Sequence, residues 1–295
     1  MNGKQMAVKQ WVKSAVERAF SLNAAMPKTP PIAASQELYL IENDFVTKED
    51  MSRLKAGQET EATLLNRPIS VTDSFWFLHS LKEIFAEETY RFRSDVESPY
   101  ILDCGSNIGL SVIYFKRLFP NARIVAFEPD PHICDLLKRN LMAFGYDDVV
   151  VEDKAIWCEA TTLRFESSGS LSGRLTGFDA TNGWDSPRVP VATVRLRDYL
   201  HEPVDFLKID IEGPEVEVLE DSADRLTNVE NLFVEYHSDP EVEQQLDRLL
   251  SLLKNAGFRV YIKEAWNNLP LSFLRKDYNP CYDLQLNVFA YRVAN

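Results

Sequence analysis

Acidic side chains follow apolar runs at several points in this sequence, and these positions are the best suited to chemistry. In "YILDCGSNIGLSVIYF" (residues 100–115), Asp103 ends an apolar run, and a turn containing Gly105 and Gly109 follows it. An amphipathic run begins at Leu110, so the pattern predicts a strand, a tight turn and a helix. Such a turn between a strand and a helix is typical of a site for a nucleotide-like small molecule.

Two cofactors fit this turn, a dinucleotide and S-adenosylmethionine. The second glycine of a dinucleotide fingerprint lets the backbone approach the pyrophosphate, whereas Asn107 bears a side chain in the middle of this turn. The carboxylate of Asp103 would repel a pyrophosphate, but it suits the ammonium group of a methionine moiety. The residues therefore favour S-adenosylmethionine. A nicotinamide-dependent oxidoreductase is the alternative, and it requires Asp103 to tolerate phosphate.

The next two apolar runs also end in acids. In "ARIVAFEPDP", Glu128 can accept hydrogen bonds from both ribose hydroxyls, while Asp130 and Pro131 predict the start of a helix. In "VVVED", the acid at Asp153 can accept from an adenine amino group, with Ala155 beside the ring. The predicted cofactor contacts are Asp103, Gly105, Ser106, Asn107, Gly109, Glu128, Pro129, Asp153, Ala155 and Asp210.

Polar residues alternate with apolar ones in "LKIDIEG" and "LFVEYH", which places each polar set on one face of a strand end. His237 is the predicted general base, because an imidazole pKa of ~6.5 suits removal of a proton from a hydroxyl. Asp210, Glu212 and Glu235 complete the predicted catalytic set. One alternative is that Asp210, Glu235 and His237 hold a divalent cation, although a metal is not favoured. Another is that Lys208 and Glu212 only form an ion pair that fixes the turn.

Alternating strands and helices must position these residues. Apolar strands are predicted at "YILDC", "ARIVAFE", "VVVED", "VDFLKID", "NLFVEY", "FRVYI" and "LQLNVFAYRV". Helices are predicted between most of them, including 131–145 and 240–257. This alternation predicts a doubly wound α/β sheet, whose ligands bind at the carboxyl ends of the strands. Two extra strands, "TTLRFES" and "VPVATVRL", flank a Gly/Ser-rich loop at 167–177 that we expect to close over the ligand.

The N-terminal part of the chain is predicted to be a helical accessory region, residues 1–67, before a main domain at 68–295. An amphipathic helix is predicted over the first twenty residues, and prolines 27, 30 and 31 are expected to separate it from the rest. A second helix is predicted over 47–65, with Thr47 and Asp50 in capping-box spacing, and a third over 73–92. These helices are expected to serve as a lid or as a homo-oligomer contact.

Composition narrows the class of protein. The net charge of −13 disfavours a surface that tracks phosphates, so no nucleic-acid partner is expected. The four cysteines show no metal spacing and indicate a reducing compartment. We expect a cytoplasmic protein without a membrane span, because the chain shows neither a long apolar run nor the pattern of a signal peptide.

Four ordered motifs, "ILDCGSNIGLSVIYF", "VAFEPDP", "VDFLKIDIEGPEVEVLE" and "LFVEYH", resemble the FkbM-type methyltransferases from about residue 68 to residue 291. The resemblance implies a class I, Rossmann-like fold and an S-adenosylmethionine-dependent O-methyltransferase. The resemblance implies acceptor hydroxyls on sugars, glycans or polyketide-derived natural products, of which we expect a sugar, glycan or glycoconjugate. Trp76, Trp184 and Trp266 can either stack on such a ring or pack internally. The alternatives are a natural-product tailoring O-methyltransferase and a binding module that holds the cofactor without catalysis.

Overall fold

The computed structural model describes residues 45–47, 50, 59–166, 174–176, 188–269, 272–277 and 281–293. The predicted first helix, the proline linker and their expected oligomer contact lie outside the described residues. So do Trp184 and most of the loop predicted to act as a lid. Among the residues that the structure describes, no helix is both long and apolar enough to cross a membrane.

A seven-stranded sheet forms the centre of the fold and confirms the predicted doubly wound architecture. Its strands are β3 (Tyr100–Cys104), β4 (Arg123–Phe127), β5 (Val150–Glu152), β10 (Val204–Ile209), β11 (Val229–Ser238), β12 (Arg259–Trp266) and β13 (Leu284–Tyr291). Their order is β12-β13-β11-β10-β3-β4-β5. β13 runs antiparallel to both of its neighbours, and the other pairs are parallel.

Helices connect the parallel strands on both faces of this sheet. They are α2 (Leu110–Leu118), α3 (Pro131–Phe144), α4 (Glu215–Asp221) and α5 (Leu246–Asn255), preceded by α1 (Ser74–Leu81), which continues as a π-helical turn over Lys82–Ala86. The predicted cap of α3 is confirmed, since the Asp130 carboxylate accepts from the backbone N–H groups of His132 and Ile133. α5 begins at Leu246 and not at residue 240 as predicted. The N–H of Gln245 donates to the Tyr236 hydroxyl and therefore takes no part in a helix that begins earlier.

An antiparallel hairpin precedes α1 and corrects the last part, from residue 60, of the helix predicted over residues 47–65, while residues 48, 49 and 51–58 lie outside the described residues. Its strands are β1 (Thr60–Leu64) and β2 (Arg67–Val71). Leu65 and Asn66 between them have φ of 51° and 61°, the backbone of a two-residue type I′ turn. Every second side chain of β1 is buried, so the run has the period of a strand and not that of a helix. The predicted capping contact is present, as the N–H of Asp50 donates to the Thr47 hydroxyl at 3.1 Å.

A second, four-stranded sheet contains both of the predicted extra strands. It consists of β6 (Ala155–Trp157), β7 (Thr162–Glu166), β8 (Arg174–Thr176) and β9 (Arg188–Arg195), in the order β6-β9-β7-β8.

The central sheet is buried on both faces, which explains its nearly continuous apolar strands. Ile101 and Phe206 pack on one face against α2, α3 and the hairpin. Leu102 and Leu207 point the other way and pack with α4 and α5. The chain reverses its direction of winding between β3 and β10, and ligands of open α/β sheets bind at such a switch point.

Candidate active site

A tight glycine turn lies at the switch point. Gly105 has φ of 84° and approaches the end of β10 so closely that a Cβ there would lie 1.8 Å from the carbonyl oxygen of Asp210. Only glycine fits a backbone with both of these features. Ser106 is buried and donates its hydroxyl to the carbonyl of Asp103, and Gly109 ends the turn with φ of 95°. The predicted turn thus joins the ends of β3 and β10 and leaves no room for a side chain at its first glycine.

The acid at the end of β3 is enclosed by side chains of neighbouring elements. Asp103 is fully buried, its Oδ2 accepts from the Ser111 hydroxyl, and its Oδ1 lies 3.5 Å from Nζ of Lys208. Its contact with a cofactor ammonium group stays a prediction.

The acid at the end of β4 supports the glycine turn. The Glu128 carboxylate accepts from the N–H groups of Asn107 at 3.0 Å and Asp130 at 2.9 Å. Burial raises the pKa of Glu128 to about 7. Pro129, which lies between Glu128 and Asp130, is half-buried. Glu128 is thus held at the strand end where the ribose contact is predicted, with its two oxygens already bound to backbone.

The residues after β5 divide between the surface and the core. Asp153 is exposed, whereas the neighbouring Glu152 pairs with Lys154 at 2.6 Å. Ala155 begins β6 and is buried together with Ile156. Contacts of Asp153 and Ala155 with an adenine stay predictions.

The four residues of the predicted catalytic set lie together. Asp210 and Glu212 follow β10, while Glu235 and His237 lie at the end of the parallel neighbour β11. Nε2 of His237 is 3.6 Å from Oε2 of Glu212 and 3.6 Å from Oε1 of Glu235. One ligand atom each from Asp210, Glu212 and His237 also lie within 4.8 Å of one another, so the cation alternative would use Glu212 in place of Glu235.

Glu215, which the sequence analysis did not single out, determines the state of His237. Nδ1 of His237 is 2.9 Å from Oε1 of Glu215, and this oxygen also accepts from the N–H of Gly213. Burial alone would lower the pKa of His237, but the carboxylates of Glu215, Glu212 and Glu235 outweigh it and raise the pKa well above the usual value. The raised pKa favours the protonated ring, which conflicts with the predicted role of His237 as a neutral base.

Glu212 is the member of this cluster whose properties suit a base. Its backbone has φ of 62°, in the left-handed region, and its carbonyl accepts from the Tyr282 hydroxyl at 3.1 Å. Burial is the main cause that raises the pKa of Glu212 to about 7, and the nearby Asp210 carboxylate raises it further. Burial and Asp210 also raise the pKa of Glu235 well above its usual value.

Lys208 links the glycine turn to this cluster. Its buried Nζ donates to the carbonyl of Gly105 at 2.9 Å and lies 3.2 Å from Oδ2 of Asp210. The alternative in which Lys208 pairs with Glu212 is wrong, because Glu212 lies beside His237.

Four aromatic rings contact one another where α1 meets β12, and we refer to Phe75, Trp76, His79 and Trp266 as the aromatic wall. The Trp266 ring centroid is 5.5 Å from that of Trp76 and 5.3 Å from that of His79. All four side chains are half-buried. Two of the three tryptophans considered for ring stacking thus lie together.

Comparisons with known proteins agree with this geometry. The model of the methyltransferase FkbM domain matches residues 103–260. Methyltransferase sdnD of Sordaria araneosa is 30% identical over 217 residues, 61% of this chain and 81% of the relative. The 2-O-methyltransferase NoeI of Sinorhizobium fredii is 27% identical over 165 residues, 50% of this chain and 67% of the relative.

Among solved structures, a methyltransferase FkbM from Methylobacillus flagellatus KT is 18% identical with a TM-score of 0.44, covering 70% of this chain and 46% of that one. The family model spans more than half of the chain and contains the glycine turn, the β10 and β11 ends and His237 between their carboxylates. The chain belongs to the FkbM family of methyltransferases.

Proposed function

We propose that this methyltransferase transfers the methyl group of S-adenosylmethionine to a hydroxyl of a sugar, glycan or glycoconjugate. The observation that carries the proposal is the cluster of carboxylates around His237, placed beside the glycine turn at the carboxyl ends of β10 and β11. The O-methyltransferase named among its relatives supports a hydroxyl acceptor.

The residues present fit S-adenosylmethionine, which the family implies. The turn at Gly105 brings backbone without a side chain to the switch point, and Glu128 offers a fixed carboxylate at the next strand end. We assign cofactor binding to the turn at 105–109, to Glu128 and Pro129, to Asp153 and Ala155, and to Asp210. The bound cofactor supplies an electrophilic methyl group on a sulfonium.

We assign the base to Glu212. A base for a hydroxyl works best with a pKa near the working pH, and burial places the pKa of Glu212 at about 7. Its side chain is 17% exposed, whereas that of His237 is 1% exposed, so the carboxylate is the group that an acceptor can reach.

His237 has a positioning role in this proposal. Because Glu215 holds Nδ1, Nε2 faces Glu212 and Glu235, and a proton on the ring reduces the repulsion between these two carboxylates. The remaining acceleration comes from alignment of the acceptor oxygen with the methyl carbon.

The test is the variant Glu212→Gln, which keeps the size of the side chain but cannot accept a proton. We expect turnover to fall by about 10²–10⁴-fold with nearly unchanged cofactor affinity, measured by labelled methyl transfer and by calorimetry. The wild-type rate should rise with pH through about 7, because Glu212 must lose its proton to act, and the variant should lack this rise. Glu220→Gln, at an exposed position of α4, is the control and should resemble wild type.

Near-normal turnover in Glu212→Gln would contradict the assignment of the base. Loss of wild-type activity on chelation, with recovery on addition of a divalent ion, would replace it with metal chemistry. Cofactor binding without transfer to any hydroxyl would favour a non-catalytic module, and transfer only to polyketide-type hydroxyls would favour the tailoring alternative.

A further inference from the structure

On the basis of the methyl transfer proposed above, we infer that the acceptor is an uncharged sugar ring that lies against the aromatic wall. One apolar face of the ring would pack on Trp266 and Trp76, and its hydroxyls would reach the carboxylates at the ends of β10 and β11. Half-buried aromatic rings with a few convergent polar groups are the usual lining of a small-molecule site.

Strand register places the wall beside the reactive cluster. Trp266 of β12 is paired with Gln285 of β13, and Gln285 is paired with His237 of β11. Side chains of directly opposed residues share a face of the sheet, so these three form a row across neighbouring strands. Glu235 and Asn287 are the next opposed pair on this face. An acceptor that packs against Trp266 on β12 is therefore separated from Glu235 on β11 only by the strand β13.

Amide groups between the wall and the cluster have capacity for a ligand with hydroxyls. Nδ2 of Asn287 donates to Glu83 at 2.7 Å, but its buried Oδ1 has no hydrogen-bond partner among the described residues. Asn287 is only 5% exposed, and a buried acceptor without a donor is costly. Asn268 donates to Oε1 of Gln285 at 2.8 Å, and a cleft of about 250 Å³ borders Trp266, Asn268 and Asp283. A hydroxyl-bearing ring supplies the donor that Oδ1 of Asn287 lacks.

The charge of the site selects against an anionic acceptor. Four half-buried carboxyl groups, those of Glu83, Asp210, Glu212 and Glu235, line it. Lys208 and His237 are buried among them, and the exposed Lys263 is opposed to Asn287 on the same face. Burial and mutual repulsion raise the pKa values of Glu83, Glu212 and Glu235, so these groups already resist carrying negative charge, and a sugar phosphate or nucleotide-linked sugar should bind less well than an uncharged ring. Sugar hydroxyls, in contrast, donate to carboxylates without adding charge.

The experiment uses the full chain with S-adenosylmethionine and a panel of methyl glycosides, the matching sugar phosphates and the matching nucleotide sugars. Labelled methyl transfer measures KM and kcat, and tryptophan fluorescence in the presence of S-adenosylhomocysteine measures glycoside binding separately from turnover. We expect transfer to one or more methyl glycosides, with KM values at least about tenfold higher for the charged forms.

The variant Trp266→Ala should raise the KM for the glycoside by at least about tenfold, because the apolar contact is lost, and should leave cofactor affinity unchanged. Trp266→Phe should keep most of the affinity, since a ring face remains. Tyr261→Ala is the matched control, because Tyr261 lies on the same strand and is 56% exposed.

The outcomes separate the subsite from the proposed function. Glycoside transfer with an unchanged KM in Trp266→Ala would overturn the aromatic subsite and leave the function standing. A lower KM for nucleotide sugars, sugar phosphates or cationic amino sugars would overturn the assignment of an uncharged ring. Transfer to hydroxyls of no sugar at all would overturn the proposed acceptor class and the subsite with it.

Discussion

At the scale of single residues, one buried glutamate decides the role of the histidine. An exposed imidazole would be neutral for much of the time at pH 7, with a pKa of ~6.5. Glu215 is fully buried, contacts Nδ1 and makes the protonated ring the stable form. The proton-accepting role therefore passes to Glu212, whose pKa the same burial raises to about 7.

The pair of Lys208 and Asp103 gives a prediction at this scale. Lys208→Met leaves the fully buried Asp103 carboxylate without its cation, which should cost about 3–5 kcal/mol of unfolding free energy in urea titrations. Asp103→Asn in the same chain should restore part of this loss, because no buried charge is then left alone.

Lys154→Met is the control for these two substitutions, because Lys154 forms a partly exposed ion pair with Glu152. It should change the unfolding free energy by less than about 1 kcal/mol. Strict additivity of Lys208→Met and Asp103→Asn would show that the two groups do not interact.

At the scale of elements, the glycine turn is the feature that brings two strand ends together. Gly105→Ala places a methyl group 1.8 Å from a backbone carbonyl and also strains φ. We expect it to lower the unfolding free energy by at least about 3 kcal/mol and to abolish cofactor binding measured by calorimetry.

Gly145→Ala is the matched control, because Gly145 also has positive φ, 73°, but a Cβ there meets no atom closer than 3.9 Å. It should lose only about 1–2 kcal/mol, the cost of a left-handed alanine, and bind the cofactor normally. Equal effects of the two substitutions would show that the close approach to Asp210 is unimportant.

At the scale of the whole molecule, Asn140 joins the N-terminal hairpin to the main sheet. Its Nδ2 donates to the carbonyls of Ser70 and Ile108, and its Oδ1 accepts from the N–H of Ser70. The hairpin crosses the predicted boundary between residues 67 and 68, and Leu64 and Ile69 pack in the same core as α2 and α3. The division at 67/68 stays a prediction.

The variant Asn140→Ala should lower the unfolding free energy by about 2–4 kcal/mol, because it leaves buried backbone groups of the hairpin and of the glycine turn unpaired. Hydrogen exchange at the N–H of Ser70 should accelerate more than exchange in β10. Asn121→Ala, at an exposed position, should change stability by less than about 0.5 kcal/mol. Unchanged exchange at Ser70 would mean that Asn140 does not hold the hairpin.

The sequence alone determined where most strands of the central sheet lie along the chain, because apolar runs and helix caps are local signals. β3, β4, β10 and β11 lie where their apolar runs predict, and Asp130 caps α3. Local signals were also misleading. The charged run before residue 65 has the composition of a helix, but residues 60–64 form a strand that ends in the turn at Leu65–Asn66.

What only the tertiary structure decided is the chemical state of the strand-end acids. The sequence predicted that Asp103, Glu128, Asp210 and His237 lie at strand ends, but it could not show which of them are enclosed. Asp103 is buried beneath Lys208, and Glu215 contacts His237 from a different element. Burial and the distances between charges set protonation, and both arise from contacts between residues that are remote along the chain.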